Sequence, residues 1–105
     1  MDKSCDFLVI GSGIAGLCFA IHASAYGKVI VITKKKEHEC NTNYAQGGIA
    51  CVLNPDDNFT SHIHDTIETG NGLSKEDAVR ILVENGPDRI KELVSWGADF
   101  TKSSF

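Results

Sequence analysis

Three glycines in Ile10-Gly11-Ser12-Gly13-Ile14-Ala15-Gly16 are spaced G-x-G-x-x-G, directly after the apolar run Phe7-Leu8-Val9-Ile10. Each position has a separate physical task. Gly11 permits a tight turn out of a strand, Gly13 lets an anionic ligand approach the backbone, and Gly16 lets a helix pack closely on that strand. A pyrophosphate at this point meets backbone N–H groups and the positive end of a helix dipole, so no charged side chain is required. The pattern therefore points to dinucleotide binding, against the plainer reading of a structural glycine turn.

The surrounding elements must position that turn. Residues 5–10 read as a short strand buried on both faces. Residues 14–26 are apolar and alanine-rich and read as a helix ending at Gly27. Lys28-Val29-Ile30-Val31-Ile32-Thr33 supplies a second β-branched strand, completing a βαβ unit. An acidic residue is expected at the end of this second strand to hold ribose hydroxyls. Thr33 and Lys34 stand there instead. Lys34-Lys35-Lys36-Glu37-His38-Glu39 reads as a solvated loop, in which Lys34 lies nearest the ligand's adenosine half.

Composition bounds the function class. The 105 residues are 42% hydrophobic and 23% charged, ordinary values for a soluble domain, with a formal charge of −4. That sign argues against a nucleic-acid partner, whose phosphates call for clustered Lys and Arg. No apolar run is long enough to span a membrane, and no secretory signal is recognisable. Cys5, Cys18, Cys40 and Cys51 form no C-x-x-C pair, which suits a reducing cytoplasm. His62 and His64 are two apart and His22 and His38 stand alone, so no metal ligand is assigned. Two strands, with a possible short third at residues 48–53, make an incomplete sheet for a dinucleotide fold.

Asn41-Thr42-Asn43-Tyr44-Ala45-Gln46-Gly47-Gly48-Ile49-Ala50 is polar, then small. By itself it reads as a turn before a strand; after a dinucleotide fold it could wrap the far half of a cofactor. Taken with the glycine turn, it resembles the N-terminus of the L-aspartate oxidases, flavoproteins related to the succinate dehydrogenase and fumarate reductase flavoprotein subunits. The resemblance continues through Asp57, Ser61-His62, Asp65-Thr66, Gly70 and Trp96-Gly97.

This resemblance implies an α/β fold: the N-terminal βαβ part of a Rossmann-like FAD-binding domain, followed by helices. Residues 1–105 would be the N-terminal part of that single domain, without its capping and C-terminal domains and inactive alone. It implies that Gly11, Ser12, Gly13, Ile14, Ala15 and Gly16 form the turn at the FAD pyrophosphate. Lys34 would lie on the adenosine side, and Asn41, Thr42, Asn43, Tyr44, Ala45, Gln46, Gly47 and Gly48 would line the flavin and ribityl portions. The dehydrogenase and reductase relatives carry at the position of Asn41 a histidine bonded covalently to FAD. Asparagine cannot form that link, so noncovalent FAD is expected.

The activity implied is oxidation of L-aspartate to iminoaspartate, with oxygen or fumarate as acceptor, in NAD biosynthesis, and handover of the product to quinolinate synthase. No catalytic residue is assigned within these residues. Two other readings remain open: a fragment of a fumarate reductase or succinate dehydrogenase type flavoprotein, and a non-catalytic nucleotide-binding module.

Three further helical segments are expected. Residues 60–68 form the first, with Thr60 or Ser61 as N-cap and Gly70-Asn71-Gly72 as the stop. Ser74-Lys75-Glu76-Asp77 opens the second, with Ala78, Ile81 and Leu82 as its apolar face and Asn85-Gly86 as its interruption. Pro87 starts the third, with an apolar stripe of Ile90, Leu93, Val94 and a core Trp96, closed by Gly97. Asp99-Phe100 would begin a strand.

Overall fold

The structure, a computed structural model, describes residues 3–34, 41–45 and 48–101. The lysine-rich loop after Lys34, with Cys40, and the candidate residues Gln46 and Gly47 lie outside the described residues. The chain divides into two compact units, Met1–Gly48 and Ile49–Phe105.

In the first unit, β1 (Phe7–Ile10) and β2 (Val29–Ile32) form a two-stranded parallel sheet, joined by α1 (Ile14–Ala23) and followed by the short α2 (Asn41–Tyr44). The register runs from Phe7 opposite Val29 to Ile10 opposite Ile32, so both strands end at one level. The ladder continues one step into the glycine turn, where the Gly11 N–H donates to the Ile32 carbonyl at 2.8 Å. At the other end the Asp6 carboxylate accepts from the Lys28 N–H at 2.7 Å. Gly27 makes room for it, since a Cβ there would stand 2.6 Å from Asp6 Oδ2.

Two expectations for this unit change. α1 stops at Ala23 rather than running to Tyr26. The Ser24 hydroxyl donates to the Ile21 carbonyl, and Ala25 and Tyr26 donate to the carbonyls three residues back, tightening the backbone out of the α-helical ladder. β1 is also not buried on both faces: Val9 is buried, whereas Leu8 is exposed and Ile10 is 81% exposed. Among the described residues of this unit, α1 is the element packed on the two strands, and the sheet is covered on the side facing it. There Phe7 and Phe19 meet edge to face, centroids 6.2 Å apart, a favoured aromatic geometry.

The second unit is a helical hairpin of α3 (Phe59–Thr69) and α4 (Glu76–Ser95). Among the described residues no strand forms at 48–53 or at Asp99-Phe100. Asn58, not Thr60 or Ser61, caps α3, its Oδ1 accepting from the Ser61 N–H at 2.8 Å. The hairpin turn has positive φ at both central residues, Asn71 at 46° and Gly72 at 85°, and closes with Leu73 N–H to the Gly70 carbonyl at 2.9 Å. Those are the marks of a type I′ turn, which asks for Asn-Gly.

α4 runs unbroken through Asn85, Gly86 and Pro87, so the two expected helices are one. An interior proline removes a hydrogen bond and crowds the preceding turn, at a cost of about 3 kcal/mol. Packing before it and a firm end after it hold the helix together. Gly86 serves close approach rather than a break: a Cβ there would lie 3.2 Å from Cys51 Sγ. Burial pushes the Cys51 thiol up, against a smaller lowering by Lys91. At the C-terminus Gly97, with φ 100°, donates to the Val94 carbonyl and Ala98 to Leu93, the paired bonds of a Schellman cap.

The buried face of α4 is Val79 and Val83, not Ala78, Ile81 and Leu82. Val79 and Val83 lie one turn apart and close on Ile63 of α3, with Val52 and Ile67 packed around them. Ile90 and Leu93 extend the stripe as half-buried residues, but Trp96, 38% exposed, is not core. In the intact protein Val83→Ala should therefore lower stability by about 2 kcal/mol. Leu82→Ala, at a residue 70% exposed, should stay within about 0.5 kcal/mol. Urea unfolding midpoints of the two variants compare them directly; equal losses would contradict this core.

Candidate functional site

Parallel strands that end in register leave a crevice at their carboxyl ends, the usual ligand position in open α/β sheets. Here the crevice is a pocket of about 560 Å³. Ile10 and Ile32, register partners, supply apolar side chains to its lining. Gly11, Ser12 and Gly13 form the turn on one side, Thr33 and Lys34 the exit of β2 on another, and Asn41 and Thr42 of α2 a further wall. Lys34 is the only charged lining residue, and no carboxylate lines the pocket among the described residues. Such a site suits an anion, with Lys34 and the N-terminus of α1 acting together.

The three glycines are glycine for different reasons. Gly11 has φ 109°, a region that L side chains rarely adopt, although the space beside it is open. Gly16 is a matter of contact: a Cβ there would run into the Gly11 carbonyl oxygen and stand 3.2 Å from Val9 Cγ1. Gly13, with φ −73°, needs neither; a Cβ there would meet Thr42 Oγ1 at 3.4 Å, an ordinary contact. Among the described residues nothing forbids a side chain at position 13. It would occupy the pocket wall instead, next to Thr42.

Gly13 is also the N-cap of α1 and has no side chain with which to cap it. Thr42 takes over part of that task, its Oγ1 accepting from the Ile14 N–H at 3.0 Å. The first-turn N–H of Ile14 is thus met from a residue 28 positions away in the sequence. Ser12, by contrast, is buried, the one buried polar residue among those described.

The structure brings Gly11, Ser12, Gly13, Lys34, Asn41 and Thr42 of the expected set into one pocket. Ile14, Ala15 and Gly16 open α1 beside it. Asn43, Tyr44, Ala45 and Gly48 are exposed and do not line it. Sequence reasoning passed over Ile10 and Ile32 as lining, and over Thr33 as more than a placeholder for a missing acid. The last residues of two aligned parallel strands were the available signal.

His64 Nε2 lies 3.6 Å from the Glu68 carboxylate, and possible ligand atoms of His64, Asp65 and Glu68 come within 4.8 Å of one another. All three are exposed, on one turn of α3, as in many solvated helix faces. No helix among the described residues is long and apolar enough to cross a membrane.

Comparison with known proteins places this geometry in context. Residues 6–104 match the family model described as an FAD binding domain. The chain is 53% identical over 98 residues to a chloroplastic L-aspartate oxidase of Oryza sativa subsp. japonica, covering 93% of this chain and 15% of that protein. It is 44% identical over 101 residues to an L-aspartate oxidase of Vibrio cholerae, covering 96% of this chain and 19% of that one. Among solved structures, a mutant form of the E. coli quinol fumarate reductase FrdA superposes with a TM-score of 0.86 at 32% identity, over 95% of this chain and 18% of FrdA. The chain thus spans less than a fifth of the length of each of these relatives.

The glycine contacts separate packing from ligand approach. Gly16→Ala in the intact protein, measured without added ligand, should lose about 1–3 kcal/mol to overpacking against Gly11 and Val9. Gly13→Ala should unfold within about 0.5 kcal/mol of the parent. Thermal unfolding reads both, and a Gly16→Ala variant as stable as the parent would refute the contact.

Proposed function

Because the chain belongs to the FAD binding domain family, whose cofactor is FAD, we propose that the pocket at the strand ends holds FAD in an L-aspartate oxidase that converts L-aspartate to iminoaspartate. Oxygen or fumarate is the acceptor, the product passes to a quinolinate synthase, and the process serves NAD biosynthesis. Residues 1–105 form the N-terminal part of a single FAD-binding domain. The activity belongs to a protein as long as the relatives, and none of the residues present here is assigned to catalysis.

The residues fit the cofactor. Gly13 leaves the pocket wall without a Cβ, Lys34 provides the one charge among the described lining residues, and the turn from β1 leads into the N-terminus of α1. Gly11, Ser12, Gly13, Ile14, Ala15 and Gly16 would hold the pyrophosphate, with the hydroxyl of Thr42 fixing the first turn of α1. Lys34, in place of an acid, would lie by the adenosine half. Asn41 to Gly48 would border the flavin end. When bound, FAD supplies a two-electron acceptor for the α-carbon hydride of the substrate. The residues of this chain bind and orient it.

The observation that carries the choice among relatives is Asn41 on the wall of the same pocket as Gly13 and Lys34. Its amide offers no nucleophilic ring nitrogen for a covalent flavin bond, so the cofactor is held noncovalently. Relatives named L-aspartate oxidase in a plant and a bacterium support the same reading. The likeness to FrdA favours the second reading, a fumarate reductase type flavoprotein. For the compartment we propose the cytoplasm, on cysteines spaced unlike a disulfide framework; the rice relative is named chloroplastic.

Two measurements on the intact protein test this. Acid precipitation should leave FAD in the supernatant, and oxygen-dependent peroxide formation should follow L-aspartate; flavin retained in the pellet, or turnover of succinate in preference to aspartate, would move the protein to the second reading. Gly13→Val should weaken FAD binding at least about tenfold, a loss of about 1.4 kcal/mol, read by flavin fluorescence titration. Unchanged affinity would remove the glycine turn from the cofactor site.

A further inference from the structure

The sequence contains Asn-Gly twice, at Asn71-Gly72 and at Asn85-Gly86, and the fold puts the two copies in opposite circumstances. We propose that Asn71 is a site of spontaneous deamidation, converted by attack of its neighbour's backbone nitrogen, while Asn85 is protected by its helix.

The chemistry needs only the polypeptide and water. The Gly72 nitrogen gives up its proton and bonds to Asn71 Cγ; the bond from Cγ to the amide Nδ2 breaks, and ammonia leaves with that proton. A five-membered succinimide remains. Water then opens the ring at either carbonyl, giving aspartate when the backbone link is restored through the α-carboxyl and isoaspartate when it runs through the side chain. One water is consumed and one ammonia released, with no change in oxidation state. Glycine as the second residue matters because it carries no Cβ to obstruct the approach.

At Asn71-Gly72 both reacting groups are available. Both residues are exposed, and space beside Gly72 is open. The Asn71 N–H is held by the Glu68 carbonyl at 3.1 Å and Leu73 closes the turn at 2.9 Å. The Asn71 side-chain amide and the Gly72 N–H, however, have no hydrogen-bond partner among the described residues. The side chain of the following Leu73 is 93% exposed. Turning the Asn71–Gly72 peptide into the attacking orientation therefore disturbs one turn bond and no packing.

At Asn85-Gly86 each of these freedoms is withdrawn. The pair lies inside α4, where the backbone N–H belongs to the helical ladder. The Asn85 Nδ2 donates to the Ile81 carbonyl at 2.8 Å. Gly86 is pressed against Cys51, with Sγ 3.2 Å from the place of its missing Cβ. Attack requires the helix to open first, and reactivity falls with the population of that open state.

Conversion at Asn71 would not be silent. It places a carboxylate just beyond the C-terminus of α3, where the helix dipole disfavours negative charge. The isoaspartyl product also lengthens the backbone in the turn that sets α3 against α4. The modification thus acts on the hairpin's one connection.

The test is a time course on the intact protein at mildly alkaline pH, with peptide mapping by mass spectrometry and isoaspartate detection. The peptide containing Asn71 should gain the mass difference between an amide and an acid, with isoaspartate present. The Asn85 peptide should convert at least about tenfold more slowly, the factor set by an opening free energy of about 1.4 kcal/mol. In protein unfolded by guanidinium the two rates should converge. No conversion at Asn71, an Asn85 that keeps pace in the native protein, or a gap that persists in guanidinium would each overturn the proposal.

Discussion

The first unit depends on how closely α1 lies against the exit of β1. Gly16 sits where a single added carbon would run into the Gly11 carbonyl oxygen, so the helix is nearer to the turn than a residue with a Cβ would allow. That distance has a consequence. It brings the N-terminus of α1, with its orphan N–H groups, to the level at which β1 and β2 end together. The intervening turn has a positive φ at Gly11. The pocket is the space left over from this packing, and its anion preference follows from which helix end faces it.

Thr42 shows how a distant segment becomes part of that arrangement. A glycine at the N-cap position leaves α1 without the usual side-chain acceptor. An N-cap serine or threonine would satisfy the helix but fill the pocket. Taking the hydroxyl from α2 instead meets the Ile14 N–H at 3.0 Å and keeps the wall at Gly13 bare. One hydrogen bond thereby ties the glycine turn to the segment that carries Asn41. Removing a helix cap of this kind costs about 1 kcal/mol, modest for stability but enough to matter for a wall whose position decides what the pocket admits.

How far the sequence discloses this varies with the physics concerned. The βαβ unit is legible because strand composition and glycine spacing point the same way, although β1 starts two residues later and α1 ends three residues earlier than expected. The Schellman end at Gly97 is legible for the same reason, a local glycine with a local job. The run through Pro87 is not, since local propensity breaks a helix there and only the contact between Gly86 and Cys51, far apart in sequence, tells which glycine use prevails. The apolar face of α4 is misread in a related way: Ile81 and Leu82 are as apolar as Val79 and Val83, and the partner helix chooses between them. In the site, Gly11 and Gly13 follow from spacing, Lys34 from its place at the end of β2, and Ser12, Asn41 and Thr42 from the resemblance. Ile10 and Ile32 become visible only when the register is known.

The large exposed apolar side chains of the first unit belong to the same account. Ile10 is 81% exposed, and Leu8, Leu17 and Phe19 are exposed with it. β2 is composed wholly of β-branched residues, which fit best on a pleated surface with neighbours on each side. A sequence optimised for a bare two-stranded sheet would place polar residues at these positions, as edge strands do. The strands therefore carry the composition of a sheet interior. Together with a family model running almost the whole length of the chain, this means that the glycine turn, held by the Gly16 contact and the Gly11 hydrogen bond to Ile32, is more completely specified by the described residues than the sheet on which it stands.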